Sequence, residues 1–306
     1  MSLKHKEEIT IWAFKDGKKG HEKQIDALIT EFSSIKNVNL FEFSTWKTHE
    51  SRPDLIIGAG NSSHKHILTA KKEHPSAKSI VLMKPSLRPT QWFDAAVVPD
   101  MDRFYLHKPK NVISTKGVLS KYSNEQTIPN TGLIVIGGKS RHYHFRKKVV
   151  NQQIEHLLNE EFKDYHWKIT TSPRSPNLDL PKHSGNAEFY SWQNTSENWM
   201  SDEISKSEIT FLTPESVSVL YEGLSTNTKV YVFHHEQHVV GQHGDKRKTK
   251  VTRNIDRLKK EGLIGYIDSS RYFFSRTVKD VDIIHPKKNK PLSESRRVVQ
   301  ELLEKL

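Results

Sequence analysis

The chain has 306 residues, of which 34% are hydrophobic and 27% charged, with a formal net charge of +12 and no cysteine. This length favours two domains over one, and the lack of cysteine excludes disulfides and zinc–thiolate sites. The longest apolar runs fall far short of the ~20 residues of a membrane helix, and the positive charge favours an anionic partner such as a nucleotide sugar, a lipid headgroup or nucleic acid.

The first part of the chain alternates short apolar runs with segments of helical spacing. We predict strands at residues 9–14, 38–43, 54–57, 79–83, 95–98 and 111–114. One helix follows the first strand, and its apolar side carries Ile25, Leu28, Ile29 and Phe32; another covers residues 63–72. Short strands that alternate with helices indicate a mostly parallel sheet covered on both faces.

The loop after the first strand contains both an acid, Asp16, and a histidine, His21. Histidine can accept a proton near neutral pH, which is what a general base must do. We therefore predict that His21 and Asp16 are catalytic. The alternative is a turn with incidental polar residues.

Polar residues also follow later strands of this half. The run Gly58-Ala59-Gly60 is half of a dinucleotide fingerprint, but it follows the third strand, so we interpret it as the floor of an acceptor pocket instead of an NAD site. Asp100 and Asp102 are interpreted as solvated loop residues because two isolated acids are a weak metal signal. The expected acceptor contacts are Gly17, Gln24, Gly60, Asn61, Lys84 and Arg88.

A polar stretch at residues 120–131 is the predicted linker between two domains. After it, strands at 133–136, 167–170, 208–212 and 229–233 alternate with helices at 145–159 and 214–224. We predict an α/β protein of two Rossmann-like domains with a cleft between them. The first, at 1–125, would bind the acceptor and the second, at 126–306, the donor, while the amphipathic helix at 294–306 either closes the second domain or packs back on the first.

The segment at residues 211–223 is the most informative one. Thr213 suits the N-cap, Pro214 the first helical position and Glu215 the first turn of a helix that follows a buried strand. Helix N-termini at strand ends favour phosphate. Two turns further along, Glu222 can accept hydrogen bonds from the hydroxyls of a ribose. The alternative is a capped amphipathic helix with a solvated acidic face.

Three further loops of the second half carry polar residues. The turn at Gly137-Gly138 permits close approach to an anion, with Lys139 and Arg141 to neutralise it; a plain strand-to-helix turn is the alternative. The stiff loop at 172–176, which contains Arg174, suits a base or a phosphate. The histidines at 234, 235 and 238 lack a fourth ligand at defined spacing, so we interpret them as surface residues and not as a zinc site.

Several of these motifs, taken in order, resemble the mitochondrial-fission, elongated-mitochondria-like family of GT-B glycosyltransferases. The matching residues run through most of the chain. They are Trp12 with Asp16-Gly17, Gly20 and Gln24; the run 53–58 with Gly60; Phe93-Asp94 with 97–99 and Asp102; Asn111-Val112 with Thr115 and Gly117; 136–138; 171–176; and 215–218 with Glu222. The chain departs from the family at Glu215, where the family prefers Asp, and at Pro173, where it prefers Arg.

The resemblance implies a GT-B-like protein whose second domain holds a nucleotide-diphosphate sugar. No metal or other cofactor is then needed, because the helix dipole and nearby cations stabilise the leaving diphosphate. An acid or a histidine of the first domain, with His21 and Asp16 as the candidates, would deprotonate an acceptor hydroxyl held by that domain. The implied donor contacts, with the flanking residues added, are Gly137, Gly138, Lys139, Arg141, Arg174, Ser216, Val217, Ser218 and Glu222.

Three functions are compatible with the sequence. The first is a metal-independent glycosyltransferase; the second is a sugar-nucleotide epimerase on the same fold; the third is a non-catalytic basic scaffold or nucleic-acid-binding protein. The cations are dispersed and no nucleic-acid-binding module is recognisable, which argues against nucleic acid. We expect a cytoplasmic protein, at most peripheral to the inner membrane, whose acceptor is a glycan or an anionic lipid at a membrane surface.

Overall fold

The computed structural model describes residues 3–102, 107–178, 183–238, 248–268, 282–287 and 290–306. The chain divides into two compact units. The first unit comprises Met1–Tyr122 and Ser293–Leu306, and the second comprises Ser123–Leu292. The chain therefore passes from the first unit to the second and later returns.

The first unit is built on a parallel sheet of six strands in the order β2-β1-β3-β4-β5-β6. The strands are β1 (Glu8–Phe14), β2 (Asn37–Phe43), β3 (Leu55–Ala59), β4 (Lys78–Leu82), β5 (Ala95–Pro99) and β6 (Val112–Thr115), and the helices are α1 (Lys19–Ser33) and α2 (His64–Glu73). Alternate residues of a strand face opposite sides. Accordingly, Ile11 and Ile57 belong to one buried cluster, whereas Trp12 and Ile56 belong to another on the opposite face.

One more helix completes the first unit. It covers Glu294–Lys305, and its residues Val298, Val299 and Leu302 are buried in the same cluster as the apolar side of α1. An ion pair joins its Arg296 to Glu31 of α1 at 3.3 Å. This helix therefore packs on the first unit although the second unit precedes it in the chain.

The second unit is built on an eight-stranded sheet in the order β10-β11-β9-β7-β12-β13-β15-β16, beside a two-stranded sheet of β8 and β14. The strands are β7 (Ile128–Ile136), β8 (Tyr143–His144), β9 (His166–Thr171), β10 (His183–Ser184), β11 (Ala187–Tyr190), β12 (Ser207–Leu212), β13 (Lys229–Val232), β14 (Glu236–Gln237), β15 (Gly265–Asp268) and β16 (Asp282–Ile284). The helices, numbered after α1 and α2, are α3 (Lys147–His156), α4 (Trp199–Lys206), α5 (Val217–Leu224) and α6 (Lys250–Lys260), and the helix at Glu294–Lys305 is α7. The β10–β11 and β15–β16 pairs are antiparallel and the other pairs of the large sheet are parallel.

The predicted α/β class with Rossmann-like units is confirmed, but several element bounds differ from prediction. β7 begins at Ile128, so the stretch predicted as linker up to residue 131 is partly strand. α5 begins at Val217, three residues after the predicted start. α4, α6 and β11 were not predicted at all. Among the described residues, no helix combines the length and the apolar character needed to cross a bilayer.

Candidate functional site

Each unit has a point where its strand order changes direction. In the second unit, the chain proceeds from β7 to β9 and β11 on one side, and β12 then lies on the other side of β7. In the first unit, β2 and β3 lie on opposite sides of β1. In open parallel sheets, ligands bind at the carboxyl ends of the strands at such a switch point. Both candidate sites lie at these positions.

In the second unit, the two glycines after β7 lie against the residues that follow β12. The N–H of Gly137 donates to Thr213 Oγ1 at 2.7 Å, and the N–H of Gly138 donates to Glu215 Oε1 at 2.8 Å. A Cβ at residue 137 would lie 1.8 Å from Glu215 Oε1, and one at residue 138 would lie 1.9 Å from the carbonyl oxygen of Arg174. At residue 138 the obstacle is backbone, so only glycine fits there, whereas a Cβ at residue 137 would displace the carboxylate of Glu215.

Ser175 joins the loop that contains Arg174 to this turn. Its Oγ lies 2.6 Å from the carbonyl oxygen of Gly137 and 2.7 Å from that of Ile136, and it accepts a hydrogen bond from the N–H of Ser172 at 2.8 Å. Arg174 itself is exposed. The loop that the sequence assigned to a base or phosphate therefore does lie beside the glycine turn. Ser175 was not recognised as the residue that holds it there.

Glu215 has a different place from the one predicted. It lies before α5, is 8% exposed, and accepts from Thr213 Oγ1 at 2.9 Å. Ser216, not Thr213, is the N-cap residue, because the side chain of Thr213 is turned toward Gly137. Burial raises the pKa of Glu215, and the hydrogen bonds from its own N–H, from Thr213 and from Gly138 oppose that increase without cancelling it.

A pH dependence follows from the raised pKa of Glu215. The folded protein binds this proton more tightly than the unfolded chain, so the stabilising contribution is largest below about pH 4.3 and is lost as the pH rises through the folded-state pKa. In Glu215→Gln, the amide oxygen can still accept from Gly138 but does not titrate. We expect its melting temperature relative to wild type to increase from pH 4 to pH 8.

The control for this experiment is Glu155→Gln, because Glu155 is an exposed acid on α3. Its melting temperature relative to wild type should stay the same over that pH range. A constant difference for Glu215→Gln as well would show that Glu215 has no raised pKa.

The N-terminus of α5 is partly open. The N–H of Val217 donates to the carbonyl oxygen of Glu215 at 3.1 Å and that of Leu220 to the carbonyl oxygen of Ser216 at 2.9 Å. Within the described ranges, the N–H groups between them, those of Ser218 and Val219, donate to no backbone carbonyl. Ser216 to Val219 are half-buried. The first amides of a helix have no intrahelical acceptor and attract anions.

Glu222 and the nearby cations complete the predicted donor side. Glu222 is half-buried on α5, and its Oε1 accepts a hydrogen bond from Ser201 Oγ of α4. One of its carboxylate oxygens is therefore held by α4. Lys139 and Arg141, on the loop after the glycine turn, are exposed.

In the first unit, Asp16 and His21 meet at the end of β1. His21 Nδ1 lies 2.9 Å from Asp16 Oδ2, and Ser62, from the loop after β3, donates to the same oxygen at 2.6 Å. Burial alone would raise the pKa of Asp16, but hydrogen bonds from Ser62, His21 and the N–H of Lys18 outweigh it and lower the pKa. An ionised Asp16 favours a proton on His21 Nδ1, which leaves Nε2 as an acceptor.

Glycines also shape this second cluster. Gly60 has φ of +76°, and a Cβ there would lie 2.4 Å from the ring of His21. Gly17 has φ of +77°, and its N–H donates to Glu22 Oε1 at 3.0 Å. Both glycines are thus needed for the backbone path around His21.

The other predicted acceptor residues occupy different environments. Gln24 is 4% exposed and donates to the carbonyl oxygen of Gly20 at 3.0 Å. It therefore stabilises the first turn of α1 and is not exposed to an acceptor. Asn61 is bonded to Ser86 through its Nδ2 at 2.6 Å. Lys84 and Arg88, in the loop after β4, are half-buried.

One of the three histidines after β13 differs from prediction. His235 is 7% exposed, so its interpretation as a surface residue is wrong. Its ring packs against that of Phe145, with centroids 5.4 Å apart. In the described part of the chain, no group of three His, Cys, Asp or Glu side chains is arranged to hold a metal ion.

Known proteins show where this fold recurs. The glycosyltransferase SnogD from Streptomyces nogalater is similar, with 10% identity, a TM-score of 0.50, and coverage of 98% of this chain and 95% of that one. The UDP-GlcNAc 2-epimerase of Methanocaldococcus jannaschii, in complex with UDP-GlcNAc and UDP, covers 97% of this chain and 99% of its own at 8% identity, with a TM-score of 0.48. The fold is that of GT-B proteins. No curated protein matches the sequence, whereas the family model described as mitochondrial fission ELM1 matches residues 9–306.

Proposed function

Because the chain belongs to the mitochondrial fission ELM1 family and has a GT-B fold, we propose that it transfers a sugar from a nucleotide-diphosphate donor to a hydroxyl acceptor, without a metal ion. The observation that carries this proposal is the arrangement at the switch point of the second unit. There, a turn whose second glycine, Gly138, lies too close to the backbone of Arg174 for a Cβ is beside the partly open N-terminus of α5. The amides of Ser218 and Val219, which donate to no backbone carbonyl of the described residues, suit a diphosphate.

The donor would be bound by the second unit. Its diphosphate would lie against the backbone of Gly137 and Gly138 and the open amides of Ser218 and Val219, with the hydroxyls of Ser216 and Ser218 in reach. Arg174, Lys139 and Arg141 would supply positive charge. The ribose hydroxyls would donate to Glu222, whose carboxylate Ser201 already orients.

The acceptor would be bound by the first unit near His21. Nε2 of His21 would take the proton of the acceptor hydroxyl as that oxygen forms a bond to the anomeric carbon. The bond from the anomeric carbon to the diphosphate breaks, and the nucleoside diphosphate leaves with the electron pair, which the amides and cations of the second unit stabilise. Lys84 and Arg88 fit an acceptor with an anionic group, such as a glycan or lipid at the cytoplasmic face of a membrane.

A thermal-shift measurement tests the donor site. UDP or GDP should raise the melting temperature of the wild-type protein, because a ligand that binds only the folded state stabilises it. Glu222→Ala should weaken this binding by about 10- to 100-fold, since hydrogen bonds to a charged group contribute about 1.5–3 kcal/mol. The measurement is the ligand concentration that gives half of the maximal shift.

The control is Glu155→Ala, which removes an exposed acid from α3 of the same unit and should leave the shift unchanged. If neither nucleotide stabilises the wild-type protein, the proposed donor site is wrong. Isomerisation of the donor sugar without any acceptor would identify an epimerase in place of a transferase.

A further inference from the structure

A cavity of ≈ 490 Å³ lies in the second unit, beside the proposed diphosphate site. Pro214, which follows β12, and Phe233, which follows β13, are on its wall, so it is at the carboxyl ends of these strands. The wall also includes Tyr143, His235 and Glu236. No role in the proposed reaction has so far been given to any of these residues.

Two buried side chains on this wall have polar atoms without partners. Tyr143 is 5% exposed and His235 is 7% exposed. Tyr143 Oη and both ring nitrogens of His235 have no hydrogen-bond partner among the described residues. A buried polar atom left unpaired costs about 1–3 kcal/mol, and such atoms in native proteins usually have a partner that enters with water or a ligand. Both side chains line the cavity, so a molecule bound there would reach these atoms once the side chains adjust, as side chains commonly do on binding.

Both of these side chains are uncharged at neutral pH. Burial, and to a lesser extent the neighbouring His234, lowers the pKa of His235 to about 4. Burial also raises the pKa of Tyr143 well above its usual value. A neutral imidazole and a phenol each donate one hydrogen bond and accept another. Hydroxyl groups, which do the same, are therefore their natural partners.

The charged residues on the wall already have partners of their own. Glu236 Oε2 is paired with Arg146 at 2.6 Å. Lys259 Nζ lies over the ring of Tyr266, 4.4 Å from its centroid, and the negative charges of Asp256 and Asp268 act against the lowering of its pKa by burial. Neither charge needs an ion in the cavity to balance it, so the cavity suits an uncharged polar group.

The cavity and the diphosphate site share the same two loops. Pro214 directly precedes Glu215 and Ser216, whose backbone leads into α5. Tyr143 follows the glycine turn, and its N–H donates to Ser140 Oγ at 3.2 Å. A group bonded to the distal phosphate is thus placed next to the cavity.

We propose that this cavity binds the sugar ring of the donor and selects uncharged, hydroxyl-rich sugars, with Tyr143 and His235 as hydrogen-bond partners of the sugar hydroxyls. This inference rests on the proposed function, because the nucleotide part of the donor must bind at the neighbouring loops. It assigns to the cavity the sugar ring of the donor, which the proposed nucleotide contacts do not recognise.

Calorimetric titration with UDP, UDP-glucose and UDP-glucuronic acid tests this inference, with GDP and GDP-mannose as a second pair. Tyr143→Phe removes only the hydroxyl and leaves no buried atom unpaired, so the protein should fold. We expect it to weaken UDP-glucose binding by about 3- to 10-fold, the loss of one hydrogen bond, while UDP binding is unchanged. His235→Leu should also weaken UDP-glucose binding and leave UDP binding unchanged. The wild-type protein should bind UDP-glucose more tightly than UDP-glucuronic acid.

The matched control is Tyr165→Phe, a half-buried tyrosine of the same unit outside the cavity wall. It should change neither affinity. The inference is overturned if Tyr143→Phe leaves the binding of UDP-glucose unchanged or weakens UDP equally, or if the glucuronic acid conjugate binds more tightly. In those cases the nucleotide site stands. If neither UDP nor GDP nor their conjugates bind the wild-type protein, the proposed function itself fails, and this inference with it.

Discussion

His21→Ala is expected to lower kcat by about 10²- to 10⁴-fold, the usual contribution of a positioned general base. The variant keeps the loop backbone but loses the imidazole that Asp16 and Ser62 orient. Asp16→Asn should also lower kcat, because an amide in place of the carboxylate no longer favours a proton on Nδ1. The measurement is single-turnover transfer from a donor that the thermal-shift experiment has identified.

Two controls separate catalysis from folding and binding. His107→Ala removes an exposed histidine of the same unit and should leave kcat as it is. The affinity of His21→Ala for the nucleotide should match wild type, because the proposed donor contacts belong to the second unit. Full activity of His21→Ala would exclude this histidine as the base.

Gly138→Ala is expected to destabilise the second unit by about 1–3 kcal/mol or more and to abolish nucleotide binding. The added Cβ would lie 1.9 Å from the carbonyl oxygen and 2.3 Å from the carbonyl carbon of Arg174. These are backbone atoms, which cannot rotate away as a side chain does. The glycine turn or the loop at 172–175 must therefore shift, and the proposed diphosphate site shifts with it.

Urea denaturation and the nucleotide-dependent thermal shift measure these two effects. Lys139→Ala, at the exposed neighbouring position, should change stability by less than about 0.5 kcal/mol. If Gly138→Ala unfolds at the same urea concentration as wild type, the close approach of the two loops does not occur in solution.

The sequence predicted the Asp16–His21 cluster because its members are close in the chain. His21 is five positions after Asp16, in the first turn of the helix that follows the loop after β1, and the ends of strands are where α/β proteins bind ligands. Ser62 was not predicted, because it reaches Asp16 from the loop after another strand, 46 residues away. Only the pairing of β1 with β3 brings it there.

The start of α5 shows the opposite case, in which local signals favoured the wrong boundary. Thr213, Pro214 and Glu215 suit the first positions of a helix. In the structure, the side chains of Thr213 and Glu215 bond to the glycine turn, about 76 residues earlier in the chain. A long-range hydrogen-bond network thus replaced the local cap, and the helix begins three residues later.

Burial also depends on contacts that periodicity does not reveal. His235 follows a strand among other histidines and polar residues, so the pattern suggested a surface position. In the structure, the rings of Tyr143, in β8, and of Phe145 lie against it. The strand at Ile128–Thr131 was missed because its residues are polar or exposed, whereas its pairing with β12 and β9 is made by the backbone.

The return of α7 to the first unit has a consequence for biosynthesis. The ribosome makes residues 294–305 only after the whole second unit. The apolar side of α1 therefore stays uncovered by Val298, Val299 and Leu302 while some 170 residues are added. Domains generally fold as units during synthesis, amino-terminal first. Here the unit whose synthesis begins first would complete its core last. A fragment ending at Tyr122 would expose the apolar side of α1 and would tend to self-associate.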